Sequence, residues 1–399
     1  MGKNFEHVVL NAAAVDELFE SQLKEWELAR KNYDALKDVK VKTLWIRKSE
    51  QANFGAGRVE AVGKTGLTGK AETKQNPGIA VKVQFNPARI VSSGAKVDPK
   101  TIQERKCFLC AANRPAVQKG IGFHGVATDY TVLVNPFPIF PRHLTIPCTV
   151  HSRQEIDSTR LDDMMSLAKV LKDFVLFYNG PKCGASAPDH FHFQAGSKGF
   201  LPLEAKLKNF RTKEILKRGV YNKKEDELKP SDNFLRLSLI ENYINGALLI
   251  EAGNKKLATA ACAKIYAAFS RIEGKGDPSF DPAIVKNIES KVFRDGEWEP
   301  MFNILCWYDT GTWYIVTFAR GRHRPSCYDA EGDANILLSP ASVDMGGVFI
   351  TPLEKDFNKI KAADIEKILD EVAVTRDVEQ KIIEGILCKQ NVQSEHQVE

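Results

Sequence analysis

The chain has 399 residues, more than one core usually organises, so two domains or two fused halves of one fold are expected. Its 43% hydrophobic and 27% charged residues suit a globular enzyme, and its net charge of +5 is spread along the chain, which gives no electrostatic case for nucleic acid as a partner. No apolar run approaches the ~18 residues that span a bilayer, so no membrane partner is expected. The start Met1-Gly2-Lys3-Asn4-Phe5-Glu6 lacks a signal peptide's apolar core and carries Glu6 where a myristoylation motif wants Ser or Thr, so a cytoplasmic protein is expected. Eight cysteines in such a chain read as reduced thiols, some available as metal ligands, rather than as a disulfide framework.

From about Val15 to Leu36, Leu18, Phe19, Leu23, Trp26, Leu28 and Leu36 recur at roughly helical spacing, which predicts an N-terminal packing helix. The stretch Gly57 to Thr65 imitates a phosphate-binding P-loop. It has five residues rather than four between Gly57 and Gly63, and Gly66-Leu67-Thr68-Gly69 follows where a helix is needed, so it reads as a loop. Ile79 to Val91 alternates as a strand, and Tyr130 to Val134 and His143 to Ile146 read as two more around the turn Asn135-Pro136-Phe137-Pro138. Leu161 to Phe177 is predicted as an amphipathic helix, after which the chain turns at Asn179-Gly180-Pro181 and enters a His-rich strand.

The basic stretch Lys206 to Lys229, interrupted by Glu214 and Glu225-Asp226-Glu227, reads as a solvated connector. Leu235 to Glu251 then supplies strands and Leu257 to Phe269 a helix. Phe302 to Phe318 is a hairpin around Asp309-Thr310-Gly311, Ile336 to Ile350 a strand region, and Ala363 to Leu387 two short helices. The hairpin followed by Arg320-Gly321-Arg322-His323-Arg324-Pro325 faintly echoes Val132 to Pro147, as a duplication would that kept its site in one half. The expected organisation is an N-terminal helical segment (1–45), a catalytic half (46–205), a connector (206–233), a degenerate second half (234–390) and a disordered polar tail (391–399).

In His190-Phe191-His192-Phe193-Gln194 a strand's period of two sends both histidines and the glutamine to one face, about 7 Å apart at successive steps, and both phenylalanines to the other. That presents imidazoles to a ligand while the rings anchor the strand. The bland alternative, a half-exposed strand with incidental histidines, is weakened because the chain holds only eight histidines and because Gly184-Ala185-Ser186-Ala187-Pro188 is a small-residue loop able to admit a phosphate. Cys107-Phe108-Leu109-Cys110 has the spacing of half a zinc site, with His151 and His190 at enzyme-like distances along the chain. Two structural cysteines account for the pair equally well; a redox dithiol is disfavoured because no thioredoxin-like strand-helix context follows.

The order Cys107-Phe108-Leu109-Cys110-Ala111-Ala112-Asn113, Tyr130 to Phe137, His151-Ser152, Asn179, Gly184-Ala185-Ser186 and His190-x-His192-x-Gln194 resembles galactose-1-phosphate uridylyltransferase within the histidine-triad superfamily. The same ending is shared by diadenosine tetraphosphate phosphorylases and GDP-hexose phosphorylases. The resemblance covers about Lys106 to Gly196. It implies an α+β fold of two fused histidine-triad-like halves, each an antiparallel sheet with packed helices. It also implies a nucleotidyl transferase that moves a nucleoside monophosphate from a nucleotide or nucleotide-sugar donor to a sugar-1-phosphate or phosphate acceptor, or a dinucleoside polyphosphate or GDP-hexose phosphorylase. A homodimer is a candidate assembly.

Carried over by position, His192 is the nucleophile and Gln194 its neutral donor partner. Asn179, Ser186 and Gln194 hold phosphates, Asn135 and Phe137 lie near the nucleoside, and Cys107, Cys110, His151 and His190 bind a structural zinc. Pro136 stands where that family has an acidic residue, and Asp189 is inserted before His190. A non-catalytic nucleotide sensor or zinc-stabilised scaffold is the reading from another class; it is disfavoured because His192 and Gln194 both remain.

Overall fold

A computed structural model describes residues 5, 7–46, 78–94, 97–126, 128–219, 221–224, 227–230, 233–272 and 299–388. The P-loop imitation at 57–65 and the polar tail at 391–399 lie outside the described residues.

The first strands in chain order are β1 (Val41–Ile46), β2 (Ile79–Phe85), β3 (Gly120–His124), β4 (Asp129–Val134), β5 (His143–Pro147), β6 (Phe174–Asn179) and β7 (His192–Ser197). Then come β8 (Thr212–Arg218), β9 (Tyr221–Lys224), β10 (Glu227–Pro230), β11 (Leu235–Ile240), β12 (Ala247–Ala252), β13 (Phe302–Asp309), β14 (Thr312–Ala319) and β15 (Val348–Thr351). Ten of them form one sheet in the order β3-β4-β5-β7-β6-β13-β14-β12-β11-β8, with every neighbouring pair antiparallel. The class is α+β, with packed helices on a large antiparallel sheet.

The strand order repeats. From the β3 edge inward the chain visits first, second, third, fifth, fourth, and from the β8 edge inward β8, β11, β12, β14, β13 do the same. A helix joins third strand to fourth in both runs, Ser158–Val170 in one and Lys255–Ile272 in the other. The two fourth strands meet at the centre, where Asn303, Ile304, Leu305 and Cys306 pair with Asn179, Tyr178, Phe177 and Leu176.

Each sheet face carries a core. One face packs Phe191, Phe193, Ile146 and Ile304 against the helices Ala12–Glu25, Ser158–Val170, Lys255–Ile272 and Arg376–Leu387. On the other, Phe177, Leu305 and Trp307 meet the small sheet β1-β2-β15 through Val81, Val83 and Phe349. Phe193 is fully buried and its ring stands edge-on to that of Phe191 at 4.9 Å; truncating such a ring to alanine costs about 3–5 kcal/mol. Alternation therefore sends Phe191 and Phe193 to the helices and leaves His192, Gln194 and Gly196 on the small-sheet face. Gly196 admits the Phe140 ring, which would lie 2.4 Å from a Cβ there.

Several expected elements differ. The N-terminal helix is two, Ala12–Glu25 and Glu27–Lys37, broken where Trp26 adopts an extended backbone. The strand from Ile79 stops at Phe85, because Pro87, with no N–H to donate, opens a 3-10 turn. The helix predicted to Phe177 ends at Val170, and Phe174–Asn179 is β6. All six β6 residues are buried, and an apolar run covered on both faces lacks the alternation that separates strand from helix. Within Ile336 to Ile350 the strand is confined to Val348–Thr351, preceded by the helical turn Ser342–Met345. The stretch read as a solvated connector carries β8, paired with β11 at the sheet edge, and the hairpin β9–β10. No described helix is long and apolar enough to cross a membrane.

Candidate functional site

Cys107, Cys110, His151 and His190 converge: one ligand atom from each lies within 4.8 Å of all the others. Cys107 Sγ is 3.3 Å and Cys110 Sγ 3.5 Å from His190 Nδ1, and Cys110 Sγ is 3.2 Å from His151 Nδ1. The edges of a tetrahedron built on ordinary zinc–sulfur and zinc–nitrogen bonds are about 3.3–3.8 Å; the three short contacts match them, and the wider separations of up to 4.8 Å would close as the atoms gather around one ion. Two surrounding contacts prepare them. Asn113 Nδ2 donates to Cys107 O, bracing the turn. His190 Nε2 lies 2.9 Å from Cys148 O, and since a carbonyl only accepts, Nε2 carries the proton and Nδ1 offers its lone pair to the cysteines. Burial opposes charge on both Cys107 and His190, yet their mutual hydrogen bond lowers the thiol's pKa and raises the imidazole's. The thiolate this favours at Cys107 is the form of cysteine that binds a metal ion, which would displace the proton shared with His190. The inserted Asp189 turns away to an ion pair with Arg105 and leaves His190 on the cysteines.

His190 precedes β7, which begins at His192, so the strand expected over the whole motif starts two residues late. His192 is 5% exposed, and its Nδ1 lies 2.8 Å from His190 O. Nδ1 therefore carries the proton and Nε2 keeps its lone pair. Burial drives His192 down to about 4, against the hydrogen bond to His190 O, so the ring is neutral near pH 7.

Gln154, fully buried, grips the His192 backbone: its Oε1 accepts from His192 N, and its Nε2 donates to His192 O and Asn179 O. Counted on from Phe177↔Gln194, the register faces Asn179 with His192. The Gln154 amide stands where ladder bonds would continue, and β6 and β7 splay around it.

Gln194 is oriented from behind. His143 Nδ1 accepts from Ile139 N at 3.3 Å, so the proton sits on Nε2, which donates to Gln194 Oε1 at 3.1 Å. Burial first, then Arg89, lowers His143 to about 3, which keeps it neutral. With Oε1 engaged, Gln194 has its amide N–H groups to offer.

The other expected residues are placed less uniformly. Asn179, 5% exposed, has Oδ1 within 2.9 Å of Asn303 Nδ2, 2.8 Å of Ser342 N and 2.7 Å of Ser342 Oγ. Asn135 is committed to its own turn, donating to Thr145 Oγ1 and accepting from Phe137 N, each at 2.8 Å. Phe137 is half-buried there, its carbonyl held by Arg89 Nη1. Ser186 is half-buried in the loop before His190. That loop lies against the second half: Gly184 has φ +88°, and a Cβ there would come within 2.6 Å of Ala341 Cβ. Sequence reasoning missed His143, Gln154, Asn303, Arg320 and Ser342. His143 opened the strand expected over His143 to Ile146, and Arg320 opened the echo of the first half; the others carry no motif.

The described residues thus define an antiparallel α+β protein with a Cys-Cys-His-His group beside a buried, neutral histidine. A family model described as a domain of unknown function, DUF4922, matches residues 67–197. No curated protein matches the chain in sequence. Among solved structures it is similar to yeast Ap4A phosphorylase Apa2, with a TM-score of 0.47 and 15% identity over 87% of this chain and 93% of that one. The same protein in complex with Ap4A gives a TM-score of 0.45 and 14% identity, over 88% and 97%.

Proposed function

We propose that the chain is a nucleotidyl transferase working through a covalent nucleotidyl-His192. It moves a nucleoside monophosphate from a nucleotide or nucleotide-sugar donor to a sugar-1-phosphate or phosphate acceptor, in the manner of galactose-1-phosphate uridylyltransferase. The observation that carries this reading is the tautomer of His192: Nδ1–H is locked on His190 O, leaving a neutral Nε2 lone pair on the strand face it shares with Gln194. A neutral imidazole attacks phosphorus near pH 7 and leaves readily from a phosphoramidate. In the first displacement Nε2 forms a bond to the donor's phosphorus as the bond to the departing phosphate oxygen breaks. In the second an acceptor oxygen attacks, the P–N bond breaks and the ring returns to its neutral form.

Gln194, held by His143, donates to nonbridging oxygens as charge grows on them, as do Asn179 and Ser186, while Asn135 and Phe137 flank the nucleoside. Leaving groups that are already phosphates need no proton, so an amide at 194 suffices. The Cys107, Cys110, His151, His190 group is proposed to hold structural zinc: two thiolates with two imidazoles suit that ion, and four protein ligands leave no position for substrate. The chain is proposed to divide into a helical segment (1–45), a catalytic half (46–205), a connector (206–233) and a degenerate second half (234–390). The test is to incubate the protein with labelled nucleotide donors, quench in base, where phosphoramidates survive, and map the label. Label on His192 is expected; equal labelling of His192→Ala would end the assignment.

A further inference from the structure

The buried cation of the second half has no part in the chemistry proposed above, yet its bonds lead into the site. Arg320 is fully buried, and all five of its N–H donors are spoken for: Nε on Val372 O, Nη1 on Pro340 O and Asn303 Oδ1, and Nη2 on Arg322 O and His323 O. A guanidinium only donates, so the Asn303 atom 2.6 Å from Nη1 is its oxygen, not its nitrogen. The Asn303 amide nitrogen then faces the other way, to Asn179 Oδ1 at 2.9 Å and Cys183 O at 2.8 Å. Ser342 N, which also only donates, meets the same Asn179 oxygen. Two independent donors therefore fix which end of the Asn179 amide points inward. Its oxygen is used up, and among the described residues its two N–H groups meet no acceptor.

We propose that Arg320 and Asn303 are positioning residues of the second half that set the polarity of the Asn179 amide, so that it presents two donors, and no acceptor, to the phosphate of a bound nucleotide. This rests on the proposed reading of Asn179 as a phosphate contact. Were the amide reversed, its oxygen would face the phosphate and repel it; Arg320 prevents this across the junction of the two halves. Cys183 O, held by the same Asn303 nitrogen, ties the loop that carries Ser186 to the relay.

The experiment uses Asn303→Asp. A carboxylate keeps the partner that Arg320 needs but cannot donate to Asn179, and it sets like oxygens face to face. Affinities of wild type and N303D for AMP, GMP and UMP, and for the corresponding nucleosides, are measured beside the melting temperature, with base-stable labelling of His192 followed in parallel. The expected result is a folded variant that binds the nucleoside as before and the monophosphate about 10- to 100-fold more weakly, the worth of one hydrogen bond to a charged group. Equal weakening of nucleoside and monophosphate would reveal a merely structural residue and overturn the proposal, as would no weakening of either. Should N303D fail to fold, Arg320→Lys, which keeps the charge but removes the paired donors, carries the same expectations. Phosphate-selective loss without label on His192 would sink the transfer chemistry and leave this inference standing; label without selective loss would sink the inference alone. A wild type that binds no nucleotide sinks both.

Discussion

The two runs of five strands share an order, a connecting helix and a central seam, yet they spend their polar residues differently. The first places His143, His192 and Gln194 on the small-sheet face, each with a determined proton or amide orientation. In the second, β14 reads Thr312-Trp313-Tyr314-Ile315-Val316-Thr317-Phe318-Ala319, and Tyr314 stacks flat on Trp307 at 5.3 Å. Among its described residues the deeply buried cation, Arg320, reaches from its own strands toward the seam. The same backbone thus serves once for the proposed chemistry and once for support. What separates the two is whether the fifth strand carries groups that hold a lone pair or rings that fill space.

The sharpest way to break that comparison is to remove the proposed nucleophile. His192→Ala should lower transfer by more than about 10³-fold, measured as nucleotide consumed per unit time, whereas Thr312→Ala, at the matching first position of β14, should leave the rate as it is. Comparable losses in both would mean that the second half shares the chemistry.

That contrast also marks what the sequence made legible. The His190-to-Gln194 run and the hairpin around Gly311 could be read because spacing encodes them, whereas spacing left the Cys107–Cys110 pair even between metal and packing and only the family resemblance named its partners. Strand β6 could not, since a run buried on both faces carries no period. Gln154, Asn303 and Ser342 were invisible for another reason. Their importance lies in hydrogen bonds to residues 38, 124 and 163 positions away, and no local pattern announces such a partner.

The second expected effect is on metal. Cys110→Ala should take zinc from about one per chain to nearly none in elemental analysis, and it should lower the melting temperature. Cys306→Ala, a buried thiol on the second half's β13, should leave metal content untouched. Equal zinc in both variants would return the Cys107–Cys110 pair to plain core packing.

Smaller is the change expected from Gln194→His. Water, unlike a phosphate, must lose a proton as it attacks, and general-base help of that kind is worth about 10²–10⁴. A histidine on His143 would supply part of it, so monophosphate released per transfer event should rise by about tenfold or more. A wild type that hydrolyses its donor as fast without acceptor as with it would defeat the transferase reading.

The smallest concerns stability. Burial raises the Asp344 carboxyl to about 7, against backbone hydrogen bonds from Ala341 and Ile350. A carboxyl whose folded pKa lies above its unfolded value binds its proton more tightly in the native state. Its contribution is therefore complete below about pH 4 and is lost as pH rises through about 7, at up to about 1.4 kcal/mol per unit. Asp344→Asn should flatten the melting temperature across that window; an unchanged slope would place the titration elsewhere.

The seam between β6 and β13 has a kinetic consequence. Many two-part enzymes admit substrate by swinging one lobe away from the other about a hinge. Here the lobes are stitched by ladder bonds at four consecutive residue pairs and by the Asn179–Asn303 side-chain bond. Opening would break these together and wet two cores at once, a cost out of proportion to a catalytic cycle. For the proposed transfer, entry and product release are therefore gated by local movements around a rigid slab. Its turnover should be sensitive to the loop between Gly180 and Pro188 and indifferent to any global breathing of the halves.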